Sequence, residues 1–284
     1  MPAVRDIDVS VLRDAVSRLL VEANYTIPPD VLDALRAGFA REESPLGRRT
    51  LEQLIRNYEV AAVERLPVCQ DSGVAVIFLE VGQDVHWIGG ALRDAIDAGV
   101  RDGVASGYLR KSVTADPTRR LKMAGDGGPG VVHLDLVPGD SVRLTVASKG
   151  FGGENMSALR MLVPADGVPG IIDFVVDTVE RAGANACPPV IVGVGIGGTF
   201  EGAALSSKRA AFRPLTIRHS RADVRDLECD LLDRVNALGI GPQGLGGRVT
   251  ALAVNIELLP THIAGLPVAV NLGCHSTRRM TIEI

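Results

Sequence analysis

Three apolar stripes of helical period fill the chain up to Leu66 and stop at Pro67; an unbroken apolar run, Val74-Ala75-Val76-Ile77-Phe78-Leu79, then follows between Gly73 and Gly82. A glycine-bounded run of that length, rich in β-branched residues, is a buried strand rather than a helix. The change of period marks the passage from a helical part to a part where helices and strands interleave. The stripes are Leu12, Val16, Leu19, Leu20 and Ala23; Leu32, Leu35 and Phe39 after Pro28-Pro29-Asp30; and Leu51, Leu54, Ile55, Tyr58 and Ala62. Thr50, with Gln53 three positions on, predicts a capping box opening the third helix.

Beyond the first strand, Leu92, Ala95, Ile96 and Val100 predict a helix. Val131 to Val137 and Ser141 to Ala147, around Pro138-Gly139-Asp140, predict a hairpin or tight strand connection. Helices are expected near Pro169 to Gly183, Glu201 to Ala211 and Asp223 to Leu238, and strands at Val190 to Val194, Thr250 to Leu258 and Val268 to Leu272. The expected fold is mixed α/β of α+β character, a helical N-terminal part followed by helices packed on a mixed sheet. A soft boundary near Leu66 separates the helical residues 1–66 from a mixed α/β part, residues 67–284, as two domains or one continuous domain.

A chain that is 46% hydrophobic and 23% charged can bury a substantial core. Its net charge of −4, with dispersed basic residues, gives no extended positive field for nucleic acid or an anionic membrane. Met1-Pro2-Ala3-Val4-Arg5-Asp6 lacks the basic and apolar regions of a signal peptide, so a cytoplasmic location is expected. Four cysteines in such a chain are buried thiols, metal ligands or catalytic groups rather than disulfides.

Cys69 stands in Pro67-Val68-Cys69-Gln70-Asp71-Ser72-Gly73, just before the buried strand. Cys187 lies between a helix and a strand, followed by Pro188-Pro189, and Cys274 ends a strand in Asn271-Leu272-Gly273-Cys274-His275. Each occupies a break in structure where a ligand can be met, the pattern of one exposed iron–sulfur cluster assembled from three loops; each also suits a small packing thiol. Cys229, between Glu228 and Asp230 on a helical pattern, lacks the electropositive setting of a reactive thiol. The separations exclude the short C-x-x-C spacing of zinc ribbons and ferredoxins.

Gly193-Val194-Gly195-Ile196-Gly197-Gly198 satisfies the glycine pattern of a dinucleotide fold, but no strand ending in an acid follows at the distance a ribose would require. Lys149 reads as a substrate ligand or a solvated surface charge. Arg278 and Arg279 read as lying near the cluster or a partner, or as a plain basic segment, and His86 and Trp87 as packing residues after a strand.

The strings Cys69-Gln70-Asp71-Ser72-Gly73, Leu109-Arg110-Lys111-Ser112, Lys149-Gly150-Phe151-Gly152-Gly153-Glu154-Asn155, Cys187-Pro188-Pro189, Gly193 to Ser207, and Thr261-His262 through Asn271-Leu272-Gly273-Cys274-His275 together resemble the iron–sulfur hydro-lyases of the class I fumarate hydratase and L(+)-tartrate dehydratase family. The resemblance implies a [4Fe-4S] cluster on Cys69, Cys187 and Cys274, substrate contacts from Gln70, Asp71, Arg110, Gly152 and Gly153, and a catalytic pair in which His262 lies beside Asp71. Because the sequence stops at Ile284, soon after the third cysteine motif, it resembles the alpha subunit of the two-chain form. A beta subunit would then supply the remaining substrate-binding residues and the carbon base, in an α2β2 hetero-oligomer. The expected reaction is reversible hydration of a C4 dicarboxylate, first fumarate and (S)-malate of the tricarboxylic acid cycle, alternatively L(+)-tartrate. A different class of function, a non-catalytic iron–sulfur scaffold or a nucleotide-binding protein, stays open on the residues alone.

Overall fold

The computed structural model describes residues 4–119 and 126–284. In chain order the elements are β1 (Arg5–Asp8), α1 (Val9–Tyr25), α2 (Pro29–Arg41), α3 (Pro45–Glu64), β2 (Val74–Gly82), β3 (Val85–Ile88), α4 (Leu92–Ser106), β4 (Val131–Val137), β5 (Val142–Lys149), α5 (Phe151–Asn155), β6 (Ala158–Leu162), α6 (Gly167–Ala182), β7 (Val190–Gly197), α7 (Phe200–Phe212), α8 (Ala222–Ala237), β8 (Ala251–Leu259), β9 (Leu266–Gly273) and β10 (Arg278–Glu283). The mixed α/β class expected from the sequence is the one that forms: two four-stranded sheets, each combining parallel and antiparallel pairs, and a two-stranded parallel pair of β1 and β3. Among the described residues no helix is long and apolar enough to cross a membrane.

The chain divides into two compact units. Unit 1 gathers residues 1–28, 58–150 and 278–284; unit 2 gathers 29–57 and 151–277.

In unit 1 the sheet order is β10-β5-β2-β4. α1 buries Leu12, Val16, Leu19, Leu20 and Ala23, the stripe read from the sequence. That stripe shares one core with Ile96, Val100 and Val104 of α4 and with Ile77, Leu79, Leu144 and Val146 of the sheet. A Cβ on Gly99 would stand 2.5 Å from Arg13 O, so α1 and α4 approach as closely as they do because that residue has no side chain.

The expected hairpin does not form. β4 and β5 exist where predicted, but β2 lies between them, pairing parallel with β4 and antiparallel with β5. Both faces of β2's hydrogen-bonding edge are thereby satisfied, and the short link after β4 passes over its end: Gly82 N–H donates to Ser141 O at 2.8 Å and Asp84 N–H to Gly139 O at 3.0 Å. His86 and Trp87 belong to a strand of their own, β3, where His86 is exposed and pairs with Asp6 at 3.0 Å rather than packing.

In unit 2 the sheet order is β6-β9-β7-β8. Every residue of β7 is buried. Val190, Val192, Val194 and Ile196 face a core with Phe174 and Val175 of α6 and Leu231 and Val235 of α8. The other face meets α7. α3 begins at Pro45 rather than at Thr50: Ser44 Oγ accepts from Gly47 N–H at 3.2 Å and proline suits the first helical position, so the start lies a turn earlier than the capping-box reading. Thr50 is inside the helix, its hydroxyl donating to Leu46 O at 2.9 Å.

Glu42 staples the α2–α3 link to the loop before β8. Its buried carboxylate accepts backbone N–H groups from Glu43, Ser44, Arg248 and Val249 at 2.8–3.0 Å. Burial pushes this carboxyl up, but the four backbone donors together outweigh it and hold Glu42 below its ordinary value of 4.5. A depressed carboxyl stabilises the fold above the unfolded value, and that contribution is lost as pH falls through the folded one. Glu42→Gln is therefore expected to cost about 2–3 kcal/mol at neutral pH. In thermal melts its gap from the wild type should narrow on acidification below pH 4.5; a gap that stays constant would refute the staple. A cavity of about 840 Å³ adjoins Glu42, and none of the candidate site residues lines it.

Candidate functional site

Unit 1 brings Cys69, Gln70, Asp71 and Arg110 to one place. The loop that carries the first three is held from below by α1: Val68 N–H donates to Asn24 O at 2.9 Å, while Ser148 Oγ on β5 donates to Ser72 O. Ser72 Oγ accepts from Arg110 N–H at 2.9 Å, tying the segment after α4 to the same loop. Asp71 N–H donates to Cys69 Sγ at 3.4 Å, and Gly73 N–H donates to Asp71 Oδ1 at 2.9 Å. Gly73 has φ +68°, and a Cβ there would lie 2.2 Å from Lys149 O, so the loop meets β5 only through glycine. Gln70 and the Arg110 side chain are exposed; Cys69 and Asp71 are half-buried.

Three residues of this region carry more than their sequence contexts suggest. Lys149 is only 4% exposed, which removes its reading as a solvated charge, and Arg278 at 1% and Arg279 at 8% are not a solvated basic segment. All three lie on the paired strands β5 and β10. The Arg278 guanidinium donates through Nη1 to Asn24 Oδ1 at 2.9 Å. A Cβ on Gly150 would stand 3.2 Å from Asp71 Oδ2 and 3.4 Å from Arg278 Nη2, so glycine keeps open the space between that carboxylate and that cation. Asn24 was missed in the sequence although a signal exists: it is a polar residue four positions after Leu20, on the buried side of α1.

Unit 2 brings together Cys187, Cys274 and Gly152. Cys187 adopts the left-handed conformation at φ +52°, ending a short 3-10 turn whose last bond runs from its N–H to Ala184 O at 3.0 Å. His275 N–H donates to Cys187 O at 3.4 Å, which sets the third cysteine motif beside the second. Ser276 Oγ lies 3.2 Å from Cys274 Sγ. A Cβ on Gly152 would be 3.2 Å from Asn185 O and 3.8 Å from Cys187 Sγ. α5, which carries Gly152 and Gly153, is fixed by Glu154: its carboxylate pairs with Lys208 of α7 and accepts from Asn271 Nδ2 at 3.0 Å.

His262 is not part of that group. It lies in the exposed connection between β8 and β9, its Nδ1 accepting from Ala264 N–H at 3.2 Å. Cys229 is exposed on α8. The glycines of the dinucleotide-like string serve packing instead. A Cβ on Gly193 would stand 2.1 Å from Ser207 O and one on Gly195 2.2 Å from Ala203 O, so α7 rests directly on the backbone of β7. Gly193 and Gly195 lie inside β7, while Gly197 and Gly198, at φ +90° and +71°, turn the chain from the strand towards α7.

The three candidate ligands are half-buried cysteines at element ends, outside any disulfide. Their neighbours are backbone N–H and hydroxyl groups, and Gly152 leaves room beside Cys187. Each is a soft, partly accessible donor of the kind that iron–sulfur clusters take, and hydrogen-bonding groups lie beside the sulfurs of Cys69 and Cys274. Among the described residues no three His, Cys, Asp or Glu side chains group as a site for a single metal ion.

The description fumarate hydratase (Fumerase) matches residues 13–283 as a family model. A Methanocaldococcus jannaschii protein with the provisional name L(+)-tartrate dehydratase subunit alpha is 37% identical over 94% of this chain and 95% of its own length. L(+)-tartrate dehydratase subunits alpha of Escherichia coli strain UTI89 and Shigella boydii serotype 4 are each 33% identical over 96% of this chain and 92% of their own length. A match that runs from α1 to β10 takes in both units and every cysteine and glycine loop described above, and on it this chain belongs to the fumarate hydratase (Fumerase) family and is a hydro-lyase.

Proposed function

We propose that this chain is the alpha-type subunit of a two-chain hydro-lyase that adds water to, or removes it from, a C4 dicarboxylate. Cys69, Cys187 and Cys274 would hold a [4Fe-4S] cluster. When bound, such a cluster supplies a Lewis acid at the iron left without a protein thiolate. The residues of this chain do the rest of the handling. Arg110, exposed on a segment pinned to the Cys69 loop, can take one substrate carboxylate through two parallel hydrogen bonds. Gly152 and Gly153 leave their backbone N–H groups approachable where a side chain would intrude. Gln70 offers an amide to the substrate's hydroxyl or carboxylate. Asp71, held by the Gly73 N–H and facing Arg278 across Gly150, is assigned to the acid side with His262, which protonates the departing hydroxyl in the dehydration direction. The proton on the neighbouring carbon is left to a base on a beta subunit.

The observation that supports this reading most directly is the gathering of thiol, amide and carboxylate groups on one doubly pinned loop of unit 1, with the segment that carries Arg110 tied to it. Fumarate and (S)-malate are the first substrate pair; the names of the relatives favour L(+)-tartrate as the second. The test is anaerobic reconstitution with a beta chain, followed by iron and sulfide counts and a panel of hydroxy-dicarboxylates. Turnover of one of them by the pair, and by neither chain alone, is expected. A fully iron-loaded pair inert to the whole panel would leave only a scaffold role.

A further inference from the structure

Resting on the assignment of Asp71 to the acid side of the reaction, we propose that Arg278 is its positioning residue, a guanidinium closed to substrate that fixes the Asp71 carboxylate from beneath the Cys69 loop. The register of β10 puts it there. Arg278 stands opposite Ser148 of β5, so both side chains leave the sheet on the face that Leu144 and Val146 turn to α1. On that face Arg278 Nη1 donates to Asn24 Oδ1 at 2.9 Å. Asn24, wholly buried, gives its own Nδ2 to Leu20 O at 2.9 Å, and its backbone carbonyl accepts from Val68 N–H at 2.9 Å, one residue before Cys69.

One arm of the guanidinium is thus taken up by a neutral amide. Its Nε is buried without a hydrogen-bond partner, and the residue is 1% exposed. Arginine stays charged, so a cation enclosed to this degree needs an anion within reach. Nη2 borders the space beside Gly150, and so does Asp71 Oδ2: the two atoms lie 3.4 and 3.2 Å from the point that a Cβ on Gly150 would occupy. The other oxygen of that carboxylate, Oδ1, already accepts from Gly73 N–H at 2.9 Å. With one oxygen fixed by Gly73 and the second drawn towards Arg278, the carboxylate plane has a single orientation.

Arg278 acts through Asp71 and not on the substrate, because the cation within a substrate's reach is the exposed Arg110. Packing does not account for the charge either. An apolar side chain of similar volume would fill the same place without the desolvation cost of an ion. What a cation alone supplies here is a fixed attraction on Oδ2. The glycine fits the same role: Gly150 has no positive φ, so what its missing side chain provides is space between the two groups and not a turn.

The test uses the chain produced together with its beta partner, with rates expressed per cluster iron. Asp71→Asn is expected to lower kcat by about a hundredfold to ten-thousandfold. Arg278→Met is expected to lower it by about tenfold to a hundredfold, the loss that follows removal of a supporting partner, with KM changed by less than about twofold. The deciding measurement is the double variant. Where Arg278 works through Asp71, Asp71→Asn with Arg278→Met is no slower than Asp71→Asn alone, within about twofold. Gly150→Ala gives the same comparison with the guanidinium and its bond to Asn24 left in place, and it carries the test where Arg278→Met does not fold. Normal kcat in Gly150→Ala or Arg278→Met, or losses that multiply in the double variants, would overturn the positioning role while Asp71 keeps its own. Independently of turnover, Gly150→Ala should match the wild type in iron per chain and in melting temperature. A fall in iron that accounts for the whole loss of rate would place the support under Cys69 instead of Asp71 and overturn the proposal. Asp71→Asn of normal rate would remove the acid assignment itself, and the proposal with it.

Discussion

Cys187→Ser is expected to bring turnover down towards the uncatalysed rate, a loss of at least about ten-thousandfold, while unit 2 stays folded. Serine fits the same space. The left-handed turn at this position is set by the backbone bond to Ala184 and by His275 against the Cys187 carbonyl, neither of which uses the sulfur. What changes is the donor: a hard hydroxyl replaces a soft thiolate, and iron–sulfur clusters select the latter. Iron and sulfide contents should fall with turnover, whereas circular dichroism and the melting temperature of the apo chain should match the wild type. The same substitution at Cys229, exposed on α8, should change none of these. Full iron content and normal turnover in Cys187→Ser would end the cluster assignment.

The largest expected loss of stability comes from Glu228→Ala. Glu228 is 1% exposed; its Oε1 accepts from Ile256 N–H at 2.9 Å and pairs with Arg213. Arg213 also reaches Ile256 O and Glu257 at 3.0 Å and Asn255 at 3.2 Å, so the pair locks the end of α7, α8 and β8 together. Removing one partner of a buried pair strands the other charge, at a cost of about 3–5 kcal/mol. For a chain of this size that corresponds to a melting temperature lower by about 10 °C. A double substitution, Glu228→Leu with Arg213→Met, should recover much of the loss, because the penalty lies in the stranded charge. A drop below about 1 kcal/mol in Glu228→Ala would show that Glu257 alone carries Arg213.

The elements most legible in the sequence are those whose own residues decide them. The stripe of α1 and the continuous runs of β2, β7 and β9 specify type and burial through period and β-branching, and each formed where expected. Pairing was not legible at β4 and β5. Their patterns predict strands, but nothing local states that a strand placed earlier in the chain will slip between them. The same limit applies to the glycine string in β7. Gly193 and Gly195 look the same whether a phosphate or a helix approaches them, and only the position of α7 decides. Near the candidate site, the Cys69–Gly73 loop was readable as a cluster of functional groups because they are adjacent in sequence. Its support was not: Asn24 and Arg278 lie at opposite ends of the chain, and their bond exists only once β10 is in place. The end of the sheet at which His262 falls likewise becomes visible only through the register of β7, β8 and β9.

The strand β10 closes unit 1 along the free side of β5, and it is translated after every residue of unit 2. A ribosome making this chain therefore finishes unit 2 while the other sheet still lacks its last member. During that interval the outer side of β5 is open and Asn24 waits for its guanidinium, so the Cys69 loop reaches its final support last. Maturation in the cell thus has a built-in order, in which this loop gains its last support only after the final strand docks.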